Sequence, residues 1–238
     1  VVNVSQGFIV DIWKYFGEHP EIAALISAPA TSSPSLQKIY FGNPGSGKSY
    51  KVETDTRGKK VFRTTFHPDS DYSTFVGTYK PLSDGTSIRY TFVPHTFTNA
   101  YIEAYKDIDT PVYLIIEEIN RGNCAQIFGD LFQLLDRRND GYSEYPINAD
   151  KDLRDYIRTE LARYKDIEPD IEPEGIEDGK LRLPPNLHIL ATMNTSDQSL
   201  FPMDSAFKRR WDWEYVPIQY EGTTSDYYQA QWQAVPLD

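Results

Sequence analysis

Four short stretches carry side chains whose types and spacing could do chemistry on phosphate. GNPGSGKS, residues 42 to 49, fits the pattern G-x-x-x-x-G-K-[ST]. Its glycines allow a tight turn that aims consecutive N–H groups at phosphate oxygens, and the helix start that follows adds positive partial charge. Lys48 is placed to reach β- and γ-phosphates, and the Ser49 hydroxyl to bind Mg2+. The expected nucleotide contacts are Gly42, Asn43, Pro44, Gly45, Ser46, Gly47, Lys48, Ser49 and Tyr50; a flexible Gly/Ser turn is the plain alternative. PVYLIIEE (111–118) is an apolar run ending in two acids, Glu117 and Glu118. MNTSDQS (193–199) closes the run NLHILAT with more small polar and acidic side chains than a turn requires. SAFKRRWDW (205–213) sets Lys208, Arg209 and Arg210 at the end of an expected helix, where cations oppose the helix dipole.

These stretches need elements to hold them. QKIYFG (37–42) reads as a short strand running into the glycine loop, and the helix after Lys48 is thin, since SYKVETDTRGKKV has few apolar positions and breaks at Gly58. VFRTTFHP (61–68) alternates like a strand, and HTFTNAYIEAYKD (95–107) has helical spacing through Phe97, Tyr101, Ile102 and Tyr105. PVYLIIEEIN (111–120) and NLHILATMN read as strands buried on both faces, NCAQIFGDLFQLLDRR (123–138) as a helix, and WDWEYVPIQY (211–220) as a fifth strand. Strands alternating with helices predict an α/β layer with a mostly parallel sheet.

The expected organisation has three parts: an N-terminal helical segment and linker over 1–36, a nucleotide-binding core over 37–220, and a tail or the start of a lid over 221–238. An insertion over 140–183 interrupts the core. It holds a charged helix, DLRDYIRTELARY, and the acidic run KDIEPDIEPEGIEDGK, which suit either a solvated face or a partner-binding element. His67 has no second His or Cys at ligand spacing, so no zinc-type site is expected there, and His188 reads as a strand residue.

The chain has 238 residues and a formal net charge of −11, which disfavours gripping nucleic acid unaided. No apolar run is long enough to span a bilayer, no secretory leader is evident, and the single Cys124 fits a reducing, cytoplasmic setting. The sequence starts without Met and reads as a piece of something longer.

Taken together, these residues resemble the AAA+ GTPase domain of the McrB family, the motor subunit of modification-dependent restriction systems. The resemblance rests on GNPGSGKS, FHPDSDYSTFVGTYKP, LIIEEINRGN, MNTSDQSL and DSAFKRRW, in that order, and covers roughly residues 37 to 216. It implies a P-loop NTPase fold: a three-layer sandwich with a mostly parallel sheet, whose helical lid is not recognisable in 221–238. Glu117 then takes the Walker B metal position, where the family usually has Asp, and Glu118 becomes the general base that polarises water. Asn194 becomes the sensor 1 residue that helps place the water. Asp197 joins the nucleotide set, either reading a base, as an acid does in other GTPases, or fixing its own loop. Arg209 and Arg210 become candidates for an arginine finger reaching a neighbouring subunit, with helix capping as the alternative. The resemblance further implies GTP, with ATP as the alternative substrate, Mg2+, a hexameric ring, a nuclease subunit of the McrC type, and DNA recognition through another domain. A nucleotide-binding assembly module with little hydrolysis, and a MoxR-like or dynein-like remodelling ATPase, are the competing readings.

Overall fold

A computed structural model describes residues 35–83, 85, 87–166, 171–195 and 201–218. The expected helices before residue 35 and the tail after residue 218 lie outside the described residues. At the centre is a five-stranded sheet built from β1 (Gln37–Gly42), β2 (Lys60–Thr65), β5 (Val112–Glu117), β8 (Leu187–Asn194) and β9 (Asp212–Tyr215). Their order is β2-β5-β8-β1-β9, and every neighbouring pair is parallel. In register, Gly42 stands opposite Asn194 and Thr65 opposite Glu117, so the loop, the acids and the polar cluster all emerge at the carboxyl edge. That edge is where open α/β sheets bind ligands, because each strand there hands over to a loop or helix start.

Apolar runs become central strands because both of their faces are covered. On β5, Leu114 and Ile116 enter one core while Tyr113 and Ile115 enter another on the opposite face. Full burial of each such aliphatic side chain contributes about 2 kcal/mol. The larger core packs the sheet against α3 (Thr96–Lys106) and a group of aromatic rings; Phe66 meets Phe75 edge-on at 5.4 Å. The smaller cluster, Tyr40, Val52, Tyr113, Ile115, Leu190 and Val216, includes one residue of α1 (Lys48–Asp55). As its sequence implies, α1 is short, with only Lys48 and Val52 buried.

Two segments differ from the sequence expectation. The helix expected over 123–138 divides into α4 (Cys124–Phe128) and a 3-10 stretch (Gly129–Leu135), where Gly129 takes a φ of 49° that an α-helix cannot continue through. An unforeseen antiparallel hairpin, β3 (Gly77–Ser83) with β4 (Ile88–Pro94), follows the one-turn helix α2 (Tyr72–Phe75). Its signal was the alternation in IRYTFVP after the turn-forming SDGTS. In the insertion, β6 (Ile147–Asn148) pairs antiparallel with β7 (Lys180–Leu181), and the expected charged helix, α5 (Lys151–Lys165), buries Leu153, Ile157 and Leu161, spaced four apart on one face.

Tyrosines from α3 also tie the insertion down. The Tyr101 hydroxyl donates to the Gly175 carbonyl at 2.6 Å, and the Tyr105 hydroxyl to the Arg182 carbonyl at 2.5 Å. Arg137 donates to Gln37 on β1 and to the carbonyls of Gly141, Pro184 and Leu187, joining both flanks of the insertion to the sheet. No described helix is long and apolar enough to cross a membrane.

Candidate functional site

The loop between β1 and α1 turns through Gly47 at φ 88°, a left-handed conformation that glycine adopts without steric cost. At Gly42 a Cβ would stand 2.4 Å from the Val216 carbonyl, so only glycine lets the loop pass beside the chain leaving β9. Lys48 is buried at the loop's base, and its ammonium donates to the carbonyls of Gly42 (3.1 Å) and Asn43 (2.8 Å). Burial pushes its pKa down, while the neighbouring Glu118 and Glu117 act in the opposite direction. A cation resting on neutral carbonyls of the loop is well placed to exchange them for phosphate oxygens. Ser46 Oγ is buried without a hydrogen-bond partner.

The acid pair sits across from this loop. Ser49 Oγ donates to Glu117 Oε2 at 3.0 Å, the same oxygen that accepts from Thr192 Oγ1 at 2.5 Å. Glu117 Oε1 accepts from Arg63 Nη1 at 2.6 Å. The strand ends at the next residue: Glu118 adopts φ 55° and ψ 46°, a left-handed backbone uncommon for a side chain of this size. Asn194 Nδ2 donates to both Glu118 oxygens, at 2.7 and 2.6 Å. The two consecutive acids thus acquire different partners, one facing the Ser49 hydroxyl and the other the Asn194 amide on β8.

Several contributors to this site were not foreseen from the sequence. Thr192 and Asn194 alternate along β8 and so share a face, a period-two signal that was available. Besides its bond to Glu117, Thr192 Oγ1 accepts from the Glu118 backbone N–H at 3.1 Å. Asn120 is buried and donates to the Asn194 carbonyl at 2.8 Å, leaving its own Oδ1 without a partner. Thr195 reaches back to the loop, its N–H to the Gly42 carbonyl (3.3 Å) and its Oγ1 to Asn43 Oδ1 (3.2 Å). Arg63 had no sequence signal beyond being a charge within a strand.

Tyr50 is 70% exposed and, with Gly45, Gly47, Lys51, Val216 and Pro217, lines a cleft of about 410 Å³ beside the loop. Asp197 lies outside the described residues. The two arginines of SAFKRRW separate. Arg209, just past α6 (Ser205–Lys208), is exposed. Arg210 turns inward: its Nη2 pairs with Asp136 at 2.5 Å, its Nη1 donates to the Ala206 carbonyl, and its guanidinium lies 3.9 Å from the Phe132 ring centre. Those contacts tie the Arg210 side chain into its own chain.

The chemistry on offer is oxygen-rich. Ser49 and Glu117 supply the hard oxygen donors that suit Mg2+, which keeps several waters and takes phosphate oxygens as further ligands. Among the described residues no group of three or more His, Cys, Asp and Glu could hold a metal by itself.

Residues 39–211 match the family described as the AAA domain of the dynein-related subfamily. The chain is 36% identical to the type II restriction enzyme BsuMI component YdiS of Bacillus subtilis (strain 168), over 90% of this chain and 65% of that protein. It is 26% identical to the type IV methyl-directed restriction enzyme EcoKMcrB subunit of Escherichia coli (strain K12), over 73% of this chain and 33% of that one. The chain therefore spans less than two thirds of the length of either relative. A solved structure from Cytophaga hutchinsonii aligns with 82% of this chain and 45% of its own, at 16% identity and a TM-score of 0.37.

Proposed function

Because the chain belongs to the dynein-related AAA family and is homologous to McrB-like restriction subunits, we propose that it is a Mg2+-dependent nucleoside triphosphatase. GTP is the preferred substrate in this reading. The domain serves as the motor of an McrBC-like restriction system, assembling as a ring and driving DNA translocation with a nuclease subunit of the McrC type. The observation that carries it is the convergence of Lys48, Ser49, Glu117, Glu118 and Asn194 at one sheet edge, with Glu118 gripped through both oxygens by Asn194.

Each residue then has a role its geometry suits. The loop N–H groups and Lys48 bind the β- and γ-phosphates. Ser49 and Glu117 hold Mg2+, which when bound neutralises charge on the phosphate oxygens. Glu118 accepts the proton of the attacking water, its oxygens keeping lone pairs beyond the bonds to Asn194. Asn194 orients that carboxylate. Arg209 reaches the transferring phosphoryl group of a neighbouring subunit. Tyr50, Val216 and Pro217 border the cleft that receives the base and ribose. A net charge of −11 agrees with DNA being recognised through another domain.

The test is phosphate release from the assembled protein with GTP and with ATP, alongside competitive binding of the two. Absence of release, with Glu118→Gln indistinguishable from wild type, refutes the reading. One observation favours a second reading, an assembly module that binds nucleotide and barely turns it over. Glu117 carries one methylene more than the usual Asp, and its carboxylate is engaged by Arg63. Tight binding and ring formation without turnover would establish that alternative. A clear preference for ATP and protein partners would instead favour a remodelling ATPase.

A further inference from the structure

The acid at the metal position already holds a cation. Arg63 lies midway along β2, and its Nη1 meets Glu117 Oε1 at 2.6 Å. The Arg63 side chain is 40% exposed, whereas that of Glu117 is only 13% exposed, so the ion pair bridges a nearly buried acid and solvent. The other oxygen, Oε2, is shared by the hydroxyls of Ser49 and Thr192. One carboxylate oxygen therefore faces the P-loop serine while the other carries a guanidinium.

We infer that Arg63 is a resident counter-cation for Glu117 and raises the Mg2+ concentration at which the site fills. This inference rests on the nucleotide-binding reading above. The reasoning begins with charge. A dication brought to Ser49 and Glu117 gains from the carboxylate's negative charge, and a guanidinium on the same carboxylate cancels part of that gain. The two cations also repel each other, and the 13% exposure of the Glu117 side chain between them limits screening there, although Arg63 itself reaches solvent. Lone pairs are nearly filled as well: three donors occupy a carboxylate with about four acceptor positions, so a water from the metal's shell would have to share Oε1 with Arg63.

The length of the acid belongs to the same device. The extra methylene of Glu117 carries its carboxylate outward by about 1.5 Å relative to Asp. An aspartate there would stand back from Arg63 and forfeit the short ion pair. Arg63 and Glu117 are thus a matched pair: the longer acid reaches the arginine, and the arginine holds the longer acid in place. Arg63 is a positioning and charge-setting residue, not a catalytic one, since its contact is with Glu117.

Manganese binding tests this without relying on turnover. The full chain is titrated with Mn2+ in the presence of guanylyl imidodiphosphate, and separately adenylyl imidodiphosphate, with free Mn2+ followed by electron paramagnetic resonance. Arg63→Met should lower the Mn2+ half-saturation about 3- to 10-fold, and Arg63→Lys should stay near wild type. In a Glu117→Asp background, Arg63→Met should change half-saturation less than 2-fold, because the pair it would break is already lost. Damage to the fold would weaken metal binding, so a gain in affinity is a readout that a merely structural role would not produce.

An Arg63→Met protein that binds Mn2+ as wild type does, or more weakly, overturns the inference. So does an Arg63→Lys protein that behaves like Arg63→Met, or an Arg63→Met effect of equal size in the Glu117→Asp background. In each of these cases wild type still binds nucleotide and Mn2+, and the proposed function stands. A wild-type chain that binds neither analogue with Mn2+ present overturns both.

Discussion

At the carboxyl edge of the sheet, Ser49, Glu117, Glu118, Thr192 and Asn194 hydrogen-bond to one another. In the insertion, the polar side chains of α5 mostly face outward: Arg158 pairs with Glu172, and Lys165 with Glu174, on a partly exposed surface. The two regions draw on similar residue types. At the edge, polar groups are packed against each other and hold a fixed geometry; in the insertion they solvate one face of a helix whose opposite face is apolar. A polar group contributes directional chemistry where its neighbours restrict it, and solubility where water does.

The contrast is sharpest within one dipeptide, and the largest expected effects test it there. Arg209→Ala should slow hydrolysis by the assembled ring about 10³-fold while leaving stability within about 0.5 kcal/mol of wild type. Arg210→Ala should do the reverse, lowering unfolding free energy by about 2 kcal/mol because Asp136 loses its partner and Phe132 its stacked guanidinium. Urea denaturation and phosphate release separate the two outcomes, and equal effects on both measurements would erase the distinction. Next, Glu118→Gln should cut turnover about 10²- to 10³-fold with nucleotide affinity preserved, measured by phosphate release and by fluorescent nucleotide binding.

In the insertion the expected effects fall on stability and not on turnover. Ile157→Ala removes a side chain that is fully buried in α5 and should cost about 3 kcal/mol by urea denaturation, with turnover per folded molecule unchanged. A large loss of turnover at full stability would instead show that the insertion reaches the site. Breaking the Arg158–Glu172 pair with Arg158→Ala should cost no more than about 0.5 kcal/mol, as exposed ion pairs do.

Much of the fold could be read along the chain. The apolar runs at 112–117 and 187–194 are central strands, and the weak helix after Lys48 is short, because burial on both faces and the scarcity of apolar positions are local properties. The 3-10 turn in the helix expected over 123–138 was harder to see, since its apolar spacing is helical and a single backbone angle at Gly129 breaks it. The hairpin at 77–94 was missed because its alternation is only partial. In the site, the loop and the acid pair were legible as motifs. Asn120 and Arg63 were not, since each acts through a partner far along the chain, and Thr192 offered only its alternation with Asn194.

The phosphate-binding loop, the strands that flank it and the two adjacent acids are legible from local residue types, since all depend on residues within a turn or a strand of one another. The different partners of those two acids come from the packing of distant segments. Glu117 meets Arg63 across 54 residues and Thr192 across 75, and Glu118 meets Asn194 across 76. Arg210 is withdrawn from solvent by Asp136 across 74. Such pairings follow from strand order and register, which bring distant segments within hydrogen-bond reach, and no local pattern of residue types encodes them.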